Sequence, residues 1–362
     1  MPRGPDPDAH AELLCDWCLG VRPGDQVLIG VPLLGLPLVR ALYRAMLQRQ
    51  AWPLLRVALA DFASQFFRWA TDAQLDSFAP LELAEAQDAD CSISIDAPAN
   101  TRALAGVDPA LIARTTRASL PVRQARLAGR WCRTIWPTPA LAQQAGMGDE
   151  EYAAFVATAL FLDRSDPAAA WRELSARQEE LVGRLGTGCE IRIEADSTDL
   201  RLRVDGRTWI NSDGRRNMPS GEVFTGPLED SANGTITFRV PSSPRGVEVA
   251  DVELSFSDGR VVAARARRGD AYLQHALQTD AGARFLGELG IGTNEGIRRA
   301  TGSILLDEKM AGTVHLALGR SYPETGGRNV SALHWDLICD LREGGRLSAD
   351  GETIVENGAL VT

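Results

Sequence analysis

The sequence predicts an α/β N-terminal domain with a parallel, doubly wound sheet, followed by a mostly antiparallel, β-rich α+β C-terminal domain. Three observations support this prediction. The chain has 362 residues with 44% hydrophobic content, which is enough for two cores. Strand-like and helical stretches alternate up to residue 185. From residue 186 the apolar period changes to two, so we expect domains at residues 1–185 and 186–362.

In the first domain, short apolar strands alternate with amphipathic helices, a pattern typical of a parallel sheet covered by helices. The last predicted helix has Asp166 as its N-cap, Pro167 in its first turn and Gly186 at its end. The predicted strands lie in RPGDQVLIGV, PLLRVAL, DCSISIDA and RWCRTIW. The predicted helices lie in LPLVRALYRAMLQRQ, FASQFFRWATDAQL, MGDEEYAAFVATALF and DPAAAWRELSARQEELVGRL.

In the second domain, apolar and polar residues alternate, as in strands with one buried face. The pattern covers CEIRIEA, DLRLRV, GTITFRV and VEVADVELSFSDGRVVAARA. Asp258-Gly259 and Asp350-Gly351 are hairpin turn signals. We therefore expect antiparallel pairing and few helices after residue 186.

Composition argues against several classes of partner. The net charge of -10 repels nucleic-acid phosphates and anionic lipid, so we expect neither nucleic-acid nor membrane binding. The longest uncharged apolar run, residues 27–39, is shorter than the roughly 20 residues that span a bilayer. Six scattered cysteines suit reduced buried thiols, and the N-terminus lacks the apolar core of a signal peptide. We expect a cytoplasmic protein.

His334 and Asp336 lie two positions apart in the strand-like stretch SALHWDLICDLREGG. Because successive strand side chains point to opposite faces, these two share one face, and their apolar neighbours share the other. A buried imidazole and carboxylate need partners, since an unpaired buried charge is costly. For an isolated pair, a structural hydrogen bond is the more common explanation.

This pair is not isolated, because further metal-binding residue types lie in similar settings. His315, one of four histidines, lies in the strand-like stretch GTVHLALG, opposite its apolar face. Glu222 lies in a loop framed by proline and glycine, NMPSGEVFTGP, and Glu288 lies in the apolar segment RFLGELGIGTN. Each glutamate alone is more typical of a cap or a solvated residue. Together, three carboxylates and two imidazoles suit two Zn, Co or Mn ions in the second domain.

The chain resembles the M29 aminopeptidases, also called the thermophilic metalloprotease or aminopeptidase T family. Four segments occur in the family's order: NMPSGEVFTGP, GARFLGELGIGTN, LLDEKMAGTVHLALGRSYPETGG and SALHWDLICDLREGG. The resemblance extends over most of the chain, including WPTPALAQQAGM and DPAAAWRELSARQEEL. It implies a metal-dependent aminopeptidase that acts on short peptides, as a homodimer with an enclosed cavity.

The resemblance also implies a site. Two divalent ions are expected to hold a bridging hydroxide that attacks the first peptide carbonyl, with Glu288 as bridging ligand. A family tyrosine near the metals matches Tyr322, whose hydroxyl could stabilise the oxyanion or be purely structural. The five expected metal ligands are Glu222, Glu288, His315, His334 and Asp336.

Two other functions remain open from the sequence. Ring-cleaving Fe(II) dioxygenases that act on dihydroxypyridine resemble this family and use one iron with a His, His, Asp set, which His315, His334 and Asp336 could supply. The two glutamates favour two metals and hydrolysis instead. A non-catalytic peptide-binding protein of the same fold is a third hypothesis, against which the complete ligand set argues.

Lys309 is the only lysine among the 38 lysine and arginine residues, and it lies six positions before His315. Because the two cations differ in bulk, geometry and ability to lose a proton, we expect Lys309 to do something that arginine cannot. A contact with the substrate carbonyl or with a ligand carboxylate is one hypothesis. Two alternatives are equally open: the lysine has no special role and was retained by chance, or it forms an ion pair at an interface.

Overall fold

The computed structural model describes residues 4–186 and 190–361, which form two compact units. The first unit extends to Ala170 and also contains Gly214–Pro219. The second contains Trp171–Asp213 and continues from Ser220. The division between the units therefore falls within the helix Pro167–Leu185. The division of the chain into an α/β domain and a metal-binding domain after residue 185 stays a prediction.

A five-stranded parallel sheet forms the centre of the first unit. Its strands are β1 (Gln26–Pro32), β2 (Trp52–Ala58), β3 (Cys91–Asp96), β4 (Arg130–Ile135) and the short β8 (Asn217–Met218), in the order β2-β1-β3-β4-β8. The first four confirm the predicted strands. β8 comes from the returning segment Gly214–Pro219 and has no counterpart in the sequence pattern.

Helices connect these strands, and the predicted N-cap of the last one is confirmed. Asp166 Oδ1 accepts a hydrogen bond of 2.8 Å from the Ala169 backbone, and Gly186 has the left-handed φ of 65° that favours glycine at a helix end. No helix in the described ranges is long and apolar enough to cross a membrane. The helices are Pro7–Leu13, Leu36–Gln48, Phe62–Trp69, Asp72–Leu75, Pro80–Asp88, Pro109–Ala118, Leu120–Ala128, Pro139–Gln144, Asp149–Ala159 and Pro167–Leu185.

Two antiparallel sheets form most of the second unit, as the period-two pattern predicts. Asp258-Gly259 and Asp350-Gly351 have left-handed φ values and join hairpins, as expected for such turns. Only two short α-helices follow residue 190 in the described chain, Asp270–Ala276 and Ile304–Asp307. One sheet has eight strands: β5 (Glu190–Ala195), β6 (Thr198–Arg203), β10 (Asn233–Phe238), β11 (Ala250–Ser257), β12 (Arg260–Arg268), β16 (Arg346–Ala349), β17 (Glu352–Glu356) and β18 (Ala359–Leu360). Their order in the sheet is β12-β11-β10-β6-β5-β16-β17-β18.

The second sheet of this unit is five-stranded and has one apolar face and one polar face. Its strands are β7 (Ile210–Ser212), β9 (Glu222–Thr225), β13 (Leu286–Gly292), β14 (Thr313–Gly319) and β15 (His334–Asp340). Their order in the sheet is β15-β14-β13-β9-β7. Val314, Leu316, Leu318, Trp335 and Leu337 belong to one buried core with residues of the eight-stranded sheet. The alternate residues of β14 and β15 therefore lie on the opposite face, and the candidate metal ligands are among them.

Candidate metal centre

Four adjacent strands bring the five predicted ligands together. β15 carries His334 and Asp336, β14 carries His315, β13 carries Glu288, and β9 begins at Glu222. The prediction of a loop at Glu222 was wrong, because this residue already pairs with β13. The strand has only four residues and follows a Pro-Ser-Gly sequence, so its alternation is too short to recognise.

Glu288 lies in the middle of the cluster. Its Oε1 atom is 3.6 Å from His315 Nε2, and its Oε2 atom is 3.4 Å from His334 Nε2. His315 Nε2 is also 3.5 Å from Glu222 Oε2, and His334 Nε2 is 3.6 Å from Asp336 Oδ1. Two sets of three donor atoms therefore share Glu288, one with Glu222 and His315, the other with His334 and Asp336.

The donor atoms fit a divalent metal better than they fit each other. Glu222 Oε2, His315 Nε2 and Asp336 Oδ1 are buried and make no hydrogen bond with the described part of the chain. Their separations are too long for good hydrogen bonds. They are close to the edge of a tetrahedron around zinc, about 3.3–3.4 Å for bonds of about 2.0–2.1 Å. A buried set of carboxylate oxygens and imidazole nitrogens is thus consistent with Zn, Co or Mn.

The backbone orients the ring of His334 by a hydrogen bond and leaves space for the ring of His315. His334 Nδ1 lies 2.8 Å from the Arg320 carbonyl oxygen, so Nδ1 donates there and Nε2 faces the carboxylates. His315 is directly opposite Gly290 on the neighbouring strand. A Cβ atom on Gly290 would lie 2.1 Å from Cε1 of His315 and 2.2 Å from its Nε2. Only glycine leaves room for this ring.

A fourth carboxylate, which the sequence analysis missed, lies beside the cluster. Glu308 has a carboxylate oxygen within 4.8 Å of donor atoms of His315 and Asp336. It follows the short helix Ile304–Asp307 and forms a close ion pair with Lys309. Its only signal in the sequence is its position next to the single lysine.

Lys309 is fully buried and contacts a predicted ligand. Its Nζ atom lies 3.1 Å from Glu222 Oε1, in addition to the ion pair with Glu308. Burial alone would lower the pKa of Lys309, but the charges of Glu222 and Glu308 raise it above its usual value. Burial raises the pKa of Glu222 to about 7, and Lys309 opposes that shift. A further cation in the cluster would favour the ionised carboxylate in the same way.

Tyr322 lies at the edge of the same cluster. Its hydroxyl oxygen is 3.4 Å from His334 Nε2, and its ring contacts His334 and Phe224 edge-on, with centroids 5.0 and 5.7 Å apart. Burial and the nearby carboxylates Glu288 and Asp336 raise the pKa of the phenol. The hydroxyl therefore keeps its proton and remains a hydrogen-bond donor.

Comparison with known proteins places the chain in one family. The family model for thermophilic metalloproteases (M29) matches residues 6–360. Aminopeptidase 2 of Geobacillus stearothermophilus is 31% identical, and the alignment covers 96% of this chain and 94% of that protein. Fold and family together define a metal-dependent hydrolase.

The chain belongs to the thermophilic metalloprotease (M29) family. It is an enzyme of the metallo-aminopeptidase class.

Two solved structures share the fold. Wild-type AmpT from Thermus thermophilus superposes with a TM-score of 0.83 at 22% identity, over 98% of this chain and 99% of that one. The 2,5-dihydroxypyridine dioxygenase of Pseudomonas putida KT2440 superposes with a TM-score of 0.57 at 14% identity, over 98% and 96% of the two chains. Both similarities concern the fold alone. Membership of the M29 family favours hydrolysis over the dioxygenase and non-catalytic hypotheses.

Proposed function

We propose that this enzyme removes N-terminal residues from short peptides with two divalent metal ions. Glu222, Glu288 and His315 would hold one ion, and Glu288, His334 and Asp336 the other. The observation that carries this proposal is that both donor sets contain Glu288, with one carboxylate oxygen facing each histidine. Glu288 would thus be a ligand of both ions.

When bound, the ions would polarise the scissile carbonyl group and lower the pKa of a water molecule. The residues of this chain would prepare the site for that chemistry. The Arg320 carbonyl fixes the ring of His334. Burial raises the pKa of Glu222 to about 7, and the charge of Lys309, 3.1 Å away, opposes this shift. Tyr322 would donate its hydroxyl proton in a hydrogen bond to the oxygen of the reacting carbonyl as negative charge develops there.

We also propose that the enzyme is a homodimer. β2 lies at the edge of the parallel sheet and exposes large apolar side chains: Trp52 is 64% exposed, and Leu54 and Val57 are each 44% exposed. An exposed edge strand with large apolar side chains promotes aggregation unless another chain covers it. Such strands are therefore typical of protein interfaces. Light scattering of the wild type and of Trp52→Lys would test this. A monomeric wild type contradicts the proposal.

A cytoplasmic location completes the proposal. The five cysteines in the described chain are all buried thiols, as expected for a protein of a reducing compartment. Cys15 and Cys18 lie in the π-helical turn Leu14–Cys18, and burial raises the pKa of Cys15 to about 12. This environment suits packing, and it disfavours the thiolate that a redox dithiol requires.

Metal content and turnover, measured together, test the function. Chelator-stripped enzyme would be reloaded with Zn, Co or Mn and assayed with leucyl p-nitroanilide and with short peptides. We expect metal-dependent release of the first residue and no reaction with N-acetylated peptides. Oxygen consumption with a dihydroxypyridine, or cleavage of blocked peptides only, would contradict the proposal.

A further inference from the structure

A cavity opens directly beside two of the proposed metal ligands. It has a volume of ≈ 270 Å³ and is lined on one side by His334, Asp336 and Ile338 of β15. These residues alternate along the strand and so share its polar face. The face therefore changes, within two residues, from metal-binding side chains to an apolar one.

Apart from the proposed metal ligands, two polar side chains in the wall of this cavity, Asp307 and Ser242, are already engaged. The carboxylate of Asp307 is 3% exposed and accepts hydrogen bonds from the backbone and hydroxyl of Thr301, at 2.7 and 2.8 Å, and from the Gly302 backbone, at 2.8 Å. The hydroxyl of Ser242 accepts a 3.0 Å hydrogen bond from Trp335 Nε1. These groups shape the wall and leave little capacity to bind a polar ligand.

The remaining lining is mainly apolar. Val240, Pro241, Pro244 and Ile304 contribute to this lining together with Ile338. Two backbone hydrogen bonds, of 2.8 and 2.9 Å, join Ser242 to Val249 and hold the proline-containing segment in place. The volume is below the range of about 300–1,000 Å³ that drug-sized ligands occupy, so the cavity suits a single side chain.

We propose that this cavity, the 240–338 pocket, binds an apolar side chain of the peptide substrate and so determines which residues are cleaved. This inference rests on the proposed function, because the pocket adjoins Asp336 and His334. A side chain seated there would place its own peptide bond, or the preceding one, against the candidate metal centre. The favoured substrates would carry leucine, methionine or phenylalanine at one of the two positions flanking the scissile bond.

Two variants change the pocket without touching a proposed ligand. Val240→Phe should fill it, and Ile338→Ala should enlarge it. Val262→Phe is the matched control, because Val262 is 59% exposed on β12. Each protein would be checked for metal content and melting temperature, and then assayed with two substrate series. One series varies the first residue of aminoacyl p-nitroanilides, and the other varies the second residue of dipeptides that begin with alanine.

The pocket variants should change the substrate preference in only one of the two substrate series. In Val240→Phe, kcat/KM for leucine and phenylalanine should fall relative to alanine by about 10- to 200-fold, the usual effect of a misfit of one or a few methylenes. Ile338→Ala should shift the preference toward larger residues. The responding series identifies the substrate position. If Val240→Phe keeps the profile of Val262→Phe in both series while the wild type is active, the pocket proposal is wrong and the proposed function stands.

Failure of the proposed function has a different outcome. In that case the metal-loaded wild type hydrolyses neither series. The pocket is then tested by calorimetric titration with free L-leucine and L-alanine. Leucine should bind the wild type more tightly than alanine does, and Val240→Phe should abolish this difference. Equal binding of the two amino acids to the wild type would overturn the pocket proposal on its own.

Discussion

The Nζ atom of Lys309 lies 3.1 Å from Oε1 of Glu222, and both side chains are buried. One carboxylate oxygen of Glu222 thus faces the Lys309 ammonium, and the other, Oε2, faces His315 and the proposed metal ligands. Lysine suits this position because its charge is compact, whereas a guanidinium group is larger and planar. The contact gives the single lysine of the chain a physical role beside the candidate centre.

Lys309→Met should destabilise the metal-free protein strongly, because it leaves the buried carboxylate of Glu222 and the partly buried carboxylate of Glu308 without their cation. Loss of one partner from a buried ion pair costs about 3–5 kcal/mol. Added zinc should restore part of this stability, since a divalent ion supplies positive charge to the same group. Urea unfolding with and without zinc would measure both effects.

The control for this variant is Arg265→Met, which breaks an exposed ion pair with Glu253. Such surface pairs contribute about 0–1 kcal/mol, so the control should stay near the wild type. Lys309→Arg keeps the charge but overfills a fully buried site, and we expect lower activity. Full activity and full metal content in Lys309→Arg would exclude a specific need for lysine.

Tyr322→Phe should lower kcat by about 100- to 1,000-fold, as for the loss of one oxyanion donor. Metal content and melting temperature should stay nearly unchanged, because only an interaction made in the transition state is removed. Tyr43→Phe, at a half-exposed tyrosine of the first unit, is the control. A loss of stability in Tyr322→Phe with kcat preserved would assign the hydroxyl to structure alone.

The ion pair between Asp25 and Arg130, with atoms 2.7 Å apart, should make the stability of the first unit depend on pH. Burial alone would raise the pKa of Asp25, but hydrogen bonds from Arg130 and the Arg22 backbone, and the charge of Arg130, lower it below its ordinary value. The ionised carboxylate therefore stabilises the fold above its unfolded pKa of about 4. This contribution is lost as the pH falls through the lower, folded pKa.

Asp25→Asn should reduce the free energy of unfolding at pH 7 by about 1.5–3 kcal/mol, the range for a hydrogen bond to a charged group. The difference from the wild type should shrink as the pH falls below about 4, because the wild-type carboxyl then becomes neutral too. Urea unfolding across this pH range, with exposed Asp88→Asn as control, would measure it. A difference that grows in acid would contradict the assignment.

Alternation along strands explains why most of the site could be predicted. The apolar residues of TVHLALG and HWDLICD fix which face of each strand is buried in the core. His315, His334 and Asp336 must then lie on the other face. Since β14 and β15 pair directly, the three side chains lie near one another. The sequence thus predicts the shared face, although not the register that sets the distances.

Features formed by irregular backbone could not be predicted. A β-bulge between Leu286 and Glu288 allows Leu286 and Leu289 both to face the core while Glu288 points to the opposite face. Glu308 comes from a turn after a short helix, where no periodic pattern applies. The pairing of β8 with β4 depends on a return of the chain from residue 213, which local patterns do not encode.

Glu288→Gln should weaken both metal sites together, whereas Glu222→Gln should mainly empty one. Glutamine keeps the size of glutamate but removes the negative charge and one strong oxygen ligand. Glu288 belongs to both donor sets that consist of predicted ligands alone, and its two oxygens lie 3.6 and 3.4 Å from His315 and His334. Glu222 shares only the set with His315.

Calorimetric titration of the metal-free proteins with Zn and Co would count the sites in the wild type and in both variants. Glu253→Gln, which removes a surface carboxylate of β11, is the control and should bind as the wild type does. Two wild-type sites that weaken jointly in Glu288→Gln support the bridged arrangement. A single wild-type site that neither glutamate affects would instead require one ion held by His315, His334 and Asp336, and the two-metal mechanism would be excluded.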